Sequence, residues 1–502
     1  MFKKLWENGE SDFYPYHMPG HKRHALGQLP EPLARLDITE IDGFDNLHRP
    51  EGILARLQEK AARLYGAEES FYLVNGSTAG ILSAASCALP AGGRILMCRN
   101  CHKSAYHAAY LRNLKVSYLY PPVCVEYDIF DAVTAEQVRD ALDREPDIGA
   151  VLVVSPTYEG RISDIRAIAG VVHNKGIPLI VDEAHGAHLG LADGFAPNAC
   201  QAGADLVLHS IHKTLPALTQ AALLHVNGSL IDRGHLKRFL HIYQTSSPSY
   251  ILMASIDNAL DYVGREGERA FGEFLRRYGL MLERLSVCRN LRFLPVDAQR
   301  QDIGKLVISV KGTLMQAEPL PEPAIRTASL NDNLLQENCP EEIPMDGKKL
   351  YNILREEYHL QPEMAAGSYV LAMFTVGDSE EGFRRMEQAL LEIDSRLWRA
   401  GESIPEPFLY GRQEPERKAL PLGAAWDAAA EYVELSCSAG RYAGEFVNLY
   451  PPGIPVLVPG EAITEDTVKK LCICLEQGLE VQGVEISGGK TLIRVLRKAL
   501  ET

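Results

Sequence analysis

A lysine and a carboxylate close two successive apolar runs of this chain: Val181-Asp-Glu-Ala-His185 at the end of one, and Ser210-Ile-His-Lys-Thr-Leu215 after the run Ala204 to Leu208. The ends of buried strands are where open α/β sheets bind ligands. A lysine there can form a Schiff base with an aldehyde cofactor, and an aspartate can keep a pyridinium nitrogen protonated. Lys213 and Asp182 together therefore read as a pyridoxal 5'-phosphate (PLP) site. The competing reading, a loop lysine and an ordinary strand-end ion pair, weakens when a phosphate cup is found in the same half of the chain.

That cup is the turn Asn75-Gly-Ser-Thr-Ala-Gly80, set between the apolar run Phe71 to Val74 and the helix-length segment Ala79 to Leu89. Glycine lets the backbone approach an anion, Ser77 and Thr78 offer hydroxyls, and a helix N-terminus adds a favourable field. A Gly-Ser-Thr turn is as often a helix cap, and its place after the first strand is what marks this one. Ser210 and His212 flank the lysine and offer two more phosphate donors. Chemistry on the cofactor also needs its ring faces covered. His102, in Arg99-Asn-Cys-His-Lys-Ser104, follows the second strand and is placed to stack on the ring. Ala184 would lie beneath the other face, where a larger side chain would lift it.

The elements that must position these residues alternate. A helix over Glu51 to Gly66 places Ile53, Leu54, Leu57, Ala61, Leu64 and Tyr65 at helical spacing, with Gly66 as its stop. Short β-type runs then alternate with helix-length segments: Phe71 to Val74, Ile95 to Cys98, Val116 to Tyr120, Ala150 to Ser155, Pro178 to Glu183 and Ala204 to Ser210. Such alternation predicts an α/β fold with a mainly parallel sheet. A seventh run, Ala221 to Val226, follows too soon for a helical crossover and is expected to be antiparallel. A long helix from Leu252 to Leu285 then leads to a smaller α+β domain. It comprises the strand Lys305 to Val310, the helix Lys349 to Tyr358, the strand Tyr369 to Thr375 and the helix Ser379 to Trp398. Gln316 to Gly347 reads as a solvated, mobile insertion, Pro405 to Leu422 as a linker, and Ala424 to Thr502 as a small terminal unit.

At 502 residues the chain is expected to hold two or three domains: an N-terminal arm (1–50), the cofactor-binding large domain (51–290), the small domain (291–404), and a linker with a C-terminal domain (405–502). Its 46% hydrophobic and 23% charged residues are globular values, and no apolar run has the length of a membrane span. The opening Met1-Phe-Lys-Lys-Leu-Trp-Glu lacks the apolar core of a secretory signal, so a cytoplasmic location without membrane attachment is expected. The ten cysteines are expected to be reduced. Cys98-Arg-Asn-Cys101 has no second pair at zinc-site spacing, so no metal is expected, and Cys472-Ile-Cys474 reads as helix packing. A net charge of -15 argues against nucleic acid and for small cationic partners.

Longer motifs then carry a resemblance. His17-Met-Pro-Gly-His-Lys22, Ile38-Thr-Glu-Ile-Asp-Gly-Phe-Asp-Asn-Leu-His48, Asn100-Cys-His-Lys-Ser104, Ser155-Pro-Thr-Tyr158, Val181-Asp-Glu-Ala-His-Gly-Ala-His188, Ser210-Ile-His-Lys213, Ser247-Pro-Ser-Tyr250 and Tyr450-Pro-Pro-Gly-Ile-Pro-Val-Leu-Val-Pro-Gly-Glu461 run in order along the chain. In these the chain resembles the bacterial ornithine/lysine/arginine decarboxylase family of fold-type I PLP enzymes. The resemblance implies an aspartate aminotransferase-like large domain with the seven-stranded sheet, and a homodimer or higher oligomer with shared sites. It implies that Lys213 carries the cofactor, Asp182 pairs with its ring nitrogen and His102 stacks on it. Ser77, Thr78, Ser210 and His212 would bind the phosphate, joined by Thr245 or Ser246 of a second subunit. His185 would approach the phenolic oxygen, although larger family members carry other residues there. Large inducible members begin with a flavodoxin-like wing domain, whereas few residues precede His17 here, so assembly through that wing is not expected.

The expected reaction is decarboxylation of arginine, lysine or ornithine to agmatine, cadaverine or putrescine, within polyamine metabolism. Protonation of the α-carbon would come from Lys213 or His102. By resemblance the candidates for the substrate's cationic side chain are Glu40, Asp42, Asp45 and Glu445, each equally readable as a solvated carboxylate. Two other readings compete: an aminotransferase or aldolase with the same Lys and Asp, and a non-catalytic regulator that binds PLP or polyamine. An aminotransferase needs an arginine clamp for the substrate carboxylate, and Arg384 and Arg385 lie on a helix face that reads as solvated.

Overall fold

The large domain is built on seven strands: β1 (Glu69–Leu73), β2 (Arg94–Cys98), β3 (Lys115–Leu119), β4 (Ile148–Val154), β5 (Leu179–Asp182), β6 (Leu206–His209) and β7 (Ala222–Val226). In this computed structural model, which describes residues 1–316, 342–399, 420–450 and 453–497, they form one sheet in the order β1-β7-β6-β5-β4-β2-β3. Strand β7 is antiparallel to both of its neighbours, and the pairings among β2 to β6 are parallel. Every residue of β5, β6 and β7 is buried, which is why these strands read as continuous apolar runs and not as alternating ones. The link from β6 to β7 holds only the short helix Ile211–Thr214 and cannot cross over the sheet, so the strand direction reverses.

Two apolar clusters pack the sheet. One joins Leu96, Val151, Ile180 and Val207 to Ala84 of the helix Gly76–Ala88 and to Ile168 of the helix Ile165–His173. The other gathers Tyr72 and Leu223 with Tyr65 and Tyr250, then continues into the small domain through Phe274 and Phe383. The helix Ile53–Tyr65 buries Leu54, Ala61 and Tyr65 and stops at Gly66, which takes the left-handed conformation (φ 71°) that glycine adopts without strain.

The helix Tyr250–Leu285 spans the large and small domains. The small domain's main sheet contains β8 (Arg292–Phe293), β9 (Lys305–Ser309), β10 (Met364–Ala365) and β11 (Tyr369–Met373), in the order β8-β9-β11-β10, all antiparallel. The helices Gly347–Glu356 and Glu380–Ser395 belong to the same domain. Of the expected insertion, 317–341 lies outside the described residues, while Glu342–Pro344 forms a strand paired with Thr313–Gln316. Most of the expected linker lies outside them as well. The C-terminal unit has two three-stranded sheets and the helix Glu465–Glu476, whose Cys474 is buried. It leans on the helix Lys103–Leu111, with the Trp426 ring 4.8 Å from that of Tyr110.

Unexpected from the sequence were the small hairpin Val123–Cys124 with Ile129–Phe130 and the N-terminal helices Phe2–Gly9 and Glu31–Leu36. No helix among the described residues is long and apolar enough to cross a membrane.

Candidate active site

Strand register levels the site. Asp182, the last residue of β5, stands beside Val154 of β4 and Leu208 of β6, so the segments leaving all three strands enter one region. There a cavity of about 370 Å³ is lined by Ser77, Thr78, His102, Asp182, Ala184, His185, Ser210, His212 and Lys213, all residues that the sequence nominates. Asn75, Asn100, Tyr158 and Ile454 also line it.

One end of the cavity collects hydroxyls. Ser210 Oγ donates to Ser77 Oγ at 2.9 Å, joining the β6 loop to the first turn of the helix Gly76–Ala88. Gly76 has φ 71°, and a Cβ built on it meets nothing within 4 Å, so the backbone there stays open to an incoming group. His212 directs Nδ1 at the Ala221 carbonyl (2.9 Å), leaving Nε2 as its other polar atom. Hydroxyls, an imidazole and a helix N-terminus form a donor set suited to a phosphate, and the acidic Asp182 lines the same cavity. On these grounds the residues fit PLP: Ser77, Thr78, Ser210 and His212 would hold its phosphate, Asp182 its ring nitrogen, and Lys213 its aldehyde carbon.

Burial sets the protonation of the groups around Asp182. Its carboxyl is raised above the usual range by burial, with the Lys213 charge and the Ala184 amide (3.2 Å) working against the rise. Lys213 is lowered by burial, with Asp182 and Glu363 opposing. His102 is pulled down to about 4 by burial, reinforced by the charges of Lys213 and Lys103, and is therefore neutral at pH 7. Its ring is also fixed in place: Nδ1 accepts from the Ser104 amide at 3.3 Å and lies 2.9 Å from Ser104 Oγ, capping the helix Lys103–Leu111. His185 lies well below the ordinary imidazole range through burial and through the charges of Lys213 and Lys305. Its Nε2 is 3.0 Å from Lys213 Nζ.

Six nominated residues do not line the cavity. Thr245 and Ser246 are exposed, although the Thr245 amide donates to Asn75 Oδ1 at 3.1 Å and so sits close to the phosphate turn. The Asp45 carboxylate accepts from the amides of Asn46, Glu51, Gly52 and Leu54 at 2.7 to 3.0 Å, organising the entry to the helix Ile53–Tyr65. Burial is the largest single effect and raises its carboxyl, but the four amides together outweigh it and hold the group below the ordinary carboxylate range. Glu445 accepts from Trp426 Nε1 (2.9 Å) and pairs with Arg494 (3.2 Å) inside the C-terminal unit. Asp42 is exposed, and Glu40 is partly buried away from the cavity.

The structure adds residues that sequence reading missed. Tyr158 donates its hydroxyl to Glu363 of the small domain, and its ring meets that of His185 at 4.7 Å. Lys305, at the start of β9, reaches His185 from the far side. A charge opening an otherwise apolar strand was the available signal for Lys305. Glu363, in Gln361-Pro-Glu-Met364, carried none.

The sheet, the loop lysine and the strand-end aspartate define a fold-type I, PLP-dependent enzyme. The model of the Orn/Lys/Arg decarboxylase major domain matches residues 1–299, and that of the same family's C-terminal domain matches residues 415–492; the chain belongs to this family of amino-acid decarboxylases. The arginine decarboxylase of Bacillus subtilis (strain 168) is 30% identical over 96% of this chain and 94% of its own. A second protein of that organism, the uncharacterized protein YaaO, is 33% identical over 96% of this chain and 95% of its own. Among solved structures, lysine decarboxylase A from Pseudomonas aeruginosa superposes with a TM-score of 0.78 at 21% identity, covering 99% of this chain and 80% of that one.

Proposed function

We propose that this enzyme removes the α-carboxylate of a basic amino acid as CO2, with arginine as substrate and agmatine as product, in cytoplasmic polyamine metabolism. The observation that carries the reading is the gathering of Asp182, His102 and Lys213 around one cavity, in a chain that aligns almost end to end with an arginine decarboxylase.

PLP, when bound, supplies the sink for the electron pair left as CO2 departs. The chain does the rest. Asp182, buried and acidic, holds a ring proton in place; Ser77, Thr78, Ser210 and His212 grip the phosphate; neutral His102 covers a ring face without adding a charge. Lys213 Nζ, once it has taken up the proton that the substrate's ammonium gives up, returns a proton to the substrate carbon; His102, neutral at pH 7, could do so only after being protonated in its turn. Among the described residues of this chain no arginine lines the cavity, so none is placed to clamp the α-carboxylate as an aminotransferase requires. This favours decarboxylation over amino transfer. Arg384 is exposed and paired with Glu381 at 2.7 Å, and Arg385 is bonded to the Tyr358 carbonyl at 3.0 Å. Glu363, which does not itself line the cavity, accepts from the wall residue Tyr158 and is the small-domain carboxylate assigned in this reading to the substrate's guanidinium.

The active form in this reading is at least a dimer, with Thr245 or Ser246 completing the phosphate cup of the neighbouring subunit. The test of the function is CO2 release from arginine, lysine and ornithine by purified protein, with keto-acid-dependent amine transfer as the control. Arginine should be turned over fastest. Preferred turnover of lysine or ornithine would displace arginine, and amine transfer without CO2 would overturn the reading.

A further inference from the structure

One imidazole joins a buried lysine to a partly buried one. Lys305 Nζ lies 2.8 Å from His185 Nδ1, and Lys213 Nζ lies 3.0 Å from His185 Nε2. Lys305 does not itself line the cavity; it acts from behind His185.

The surroundings hold that lysine in place. Asp302 Oδ1 accepts from the Gly304 amide at 3.0 Å and meets His188 Nε2 at 2.9 Å, and the Lys305 amide donates to the Asp302 carbonyl at 3.1 Å. Gly160 leaves space for the Lys305 stem: a Cβ there would stand 2.8 Å from its Cγ and 2.9 Å from its Cβ. The Tyr158 ring faces Nζ at 5.5 Å. The charges around the pair are the carboxylates of Asp302, Glu159 and Glu363 and the Lys213 amine, with His102 and His212 as the neighbouring imidazoles. Burial pulls Lys305 down to about 8, opposed chiefly by Asp302, so it is an ammonium at pH 7, where His185 is neutral.

A neutral imidazole carries one N–H, and a lysine ammonium can only donate. With Lys305 donating to Nδ1, the ring proton must sit on Nε2, facing Lys213. We propose that Lys305 is a positioning residue that fixes His185 in its Nε2–H tautomer, so that the imidazole donates to Lys213 and leaves that amine unprotonated. The opposite tautomer would accept at Nε2 and favour the Lys213 ammonium. Only the unprotonated amine condenses with an aldehyde, its two hydrogens leaving with the carbonyl oxygen as water.

The inference rests on Lys213 being the attachment residue, and the experiment separates the two. Full-length, cofactor-free protein is labelled with ¹⁵N-histidine, and the His185 resonances are assigned by their loss in His185→Gln. At pH 7 the wild-type ring should show a protonated Nε2 and a bare Nδ1. In Lys305→Met it should shift to the Nδ1–H form or to a mixture, and colour formation on adding PLP should slow by about tenfold or more, the effect of one pKa unit on the amine. A wild-type Nδ1–H tautomer overturns the proposal even if Lys305→Met fails to fold, and an unchanged tautomer in a folded Lys305→Met does the same. Borohydride reduction and peptide mapping run alongside: label on a different lysine refutes the attachment residue, whereas label on Lys213 with an unchanged tautomer refutes only the role of Lys305.

Discussion

Arg99 and Glu461 form a buried two-point ion pair, Nη2 to Oε2 at 2.8 Å and Nε to Oε1 at 3.2 Å. Arg99 opens the loop that carries His102, and Glu461 closes the C-terminal segment that sends Ile454 into the cavity. Arg99 Nη1 also donates to the Pro455 carbonyl at 2.6 Å. Through this pair the C-terminal unit becomes part of the active-site wall.

Glu461→Ala should therefore cost about 3–5 kcal/mol, because it strands a guanidinium in the interior. Urea denaturation measures the loss, and turnover should fall with it as Ile454 and the His102 loop lose their anchor. A change below about 1 kcal/mol, the scale of an exposed pair, would show that the clasp is not structural.

Asp182→Asn should retain much of the cofactor, since the phosphate donors are separate from it, while turnover drops by orders of magnitude through loss of the charge facing the ring. Absorbance of bound cofactor and kcat are read on the same preparation. Near-normal turnover would remove Asp182 from the electron-sink role.

His102 gives the cofactor-free protein a pH-dependent stability. Its folded value, about 4, is depressed from the ordinary 6.5, so between these limits the unfolded chain binds a proton that the folded chain refuses. Its contribution is present above about pH 6.5 and is lost as pH falls toward 4. Asp182, raised by burial, works in the opposite sense, so the measurement is the difference between wild type and His102→Phe. Denaturation midpoints at pH 7.5, 6 and 5 should fall more steeply for wild type; parallel profiles would contradict the assignment.

Mixing tests the shared site. Lys213→Ala and a Thr245→Ala/Ser246→Ala double variant should each be impaired alone, yet regain activity when their subunits exchange. One of the two sites in such a heterodimer takes its lysine from one parent and its hydroxyls from the other, and is wholly native. No recovery despite demonstrated exchange would confine the site to a single chain.

Much of this enzyme was legible along the chain because it depends on short-range order. Asp182 ends a fully buried strand and Lys213 sits just beyond another, so apolar runs and parallel pairing alone bring them to one edge of the sheet. The reversal of β7 follows in the same way from a link too short to cross over. The tertiary structure decided what depends on segments distant in sequence. Lys305 meets His185 across 120 residues, Arg99 meets Glu461 across 362, and Glu363 meets Tyr158 across 205. Strand and helix periodicity says which face a side chain occupies but not which remote element packs there. Asp45 marks a different, local limit: its acidity was visible in the sequence, but periodicity does not foretell an irregular turn, and the backbone amides it accepts from converge only when the chain between Asn46 and Leu54 folds around its carboxylate.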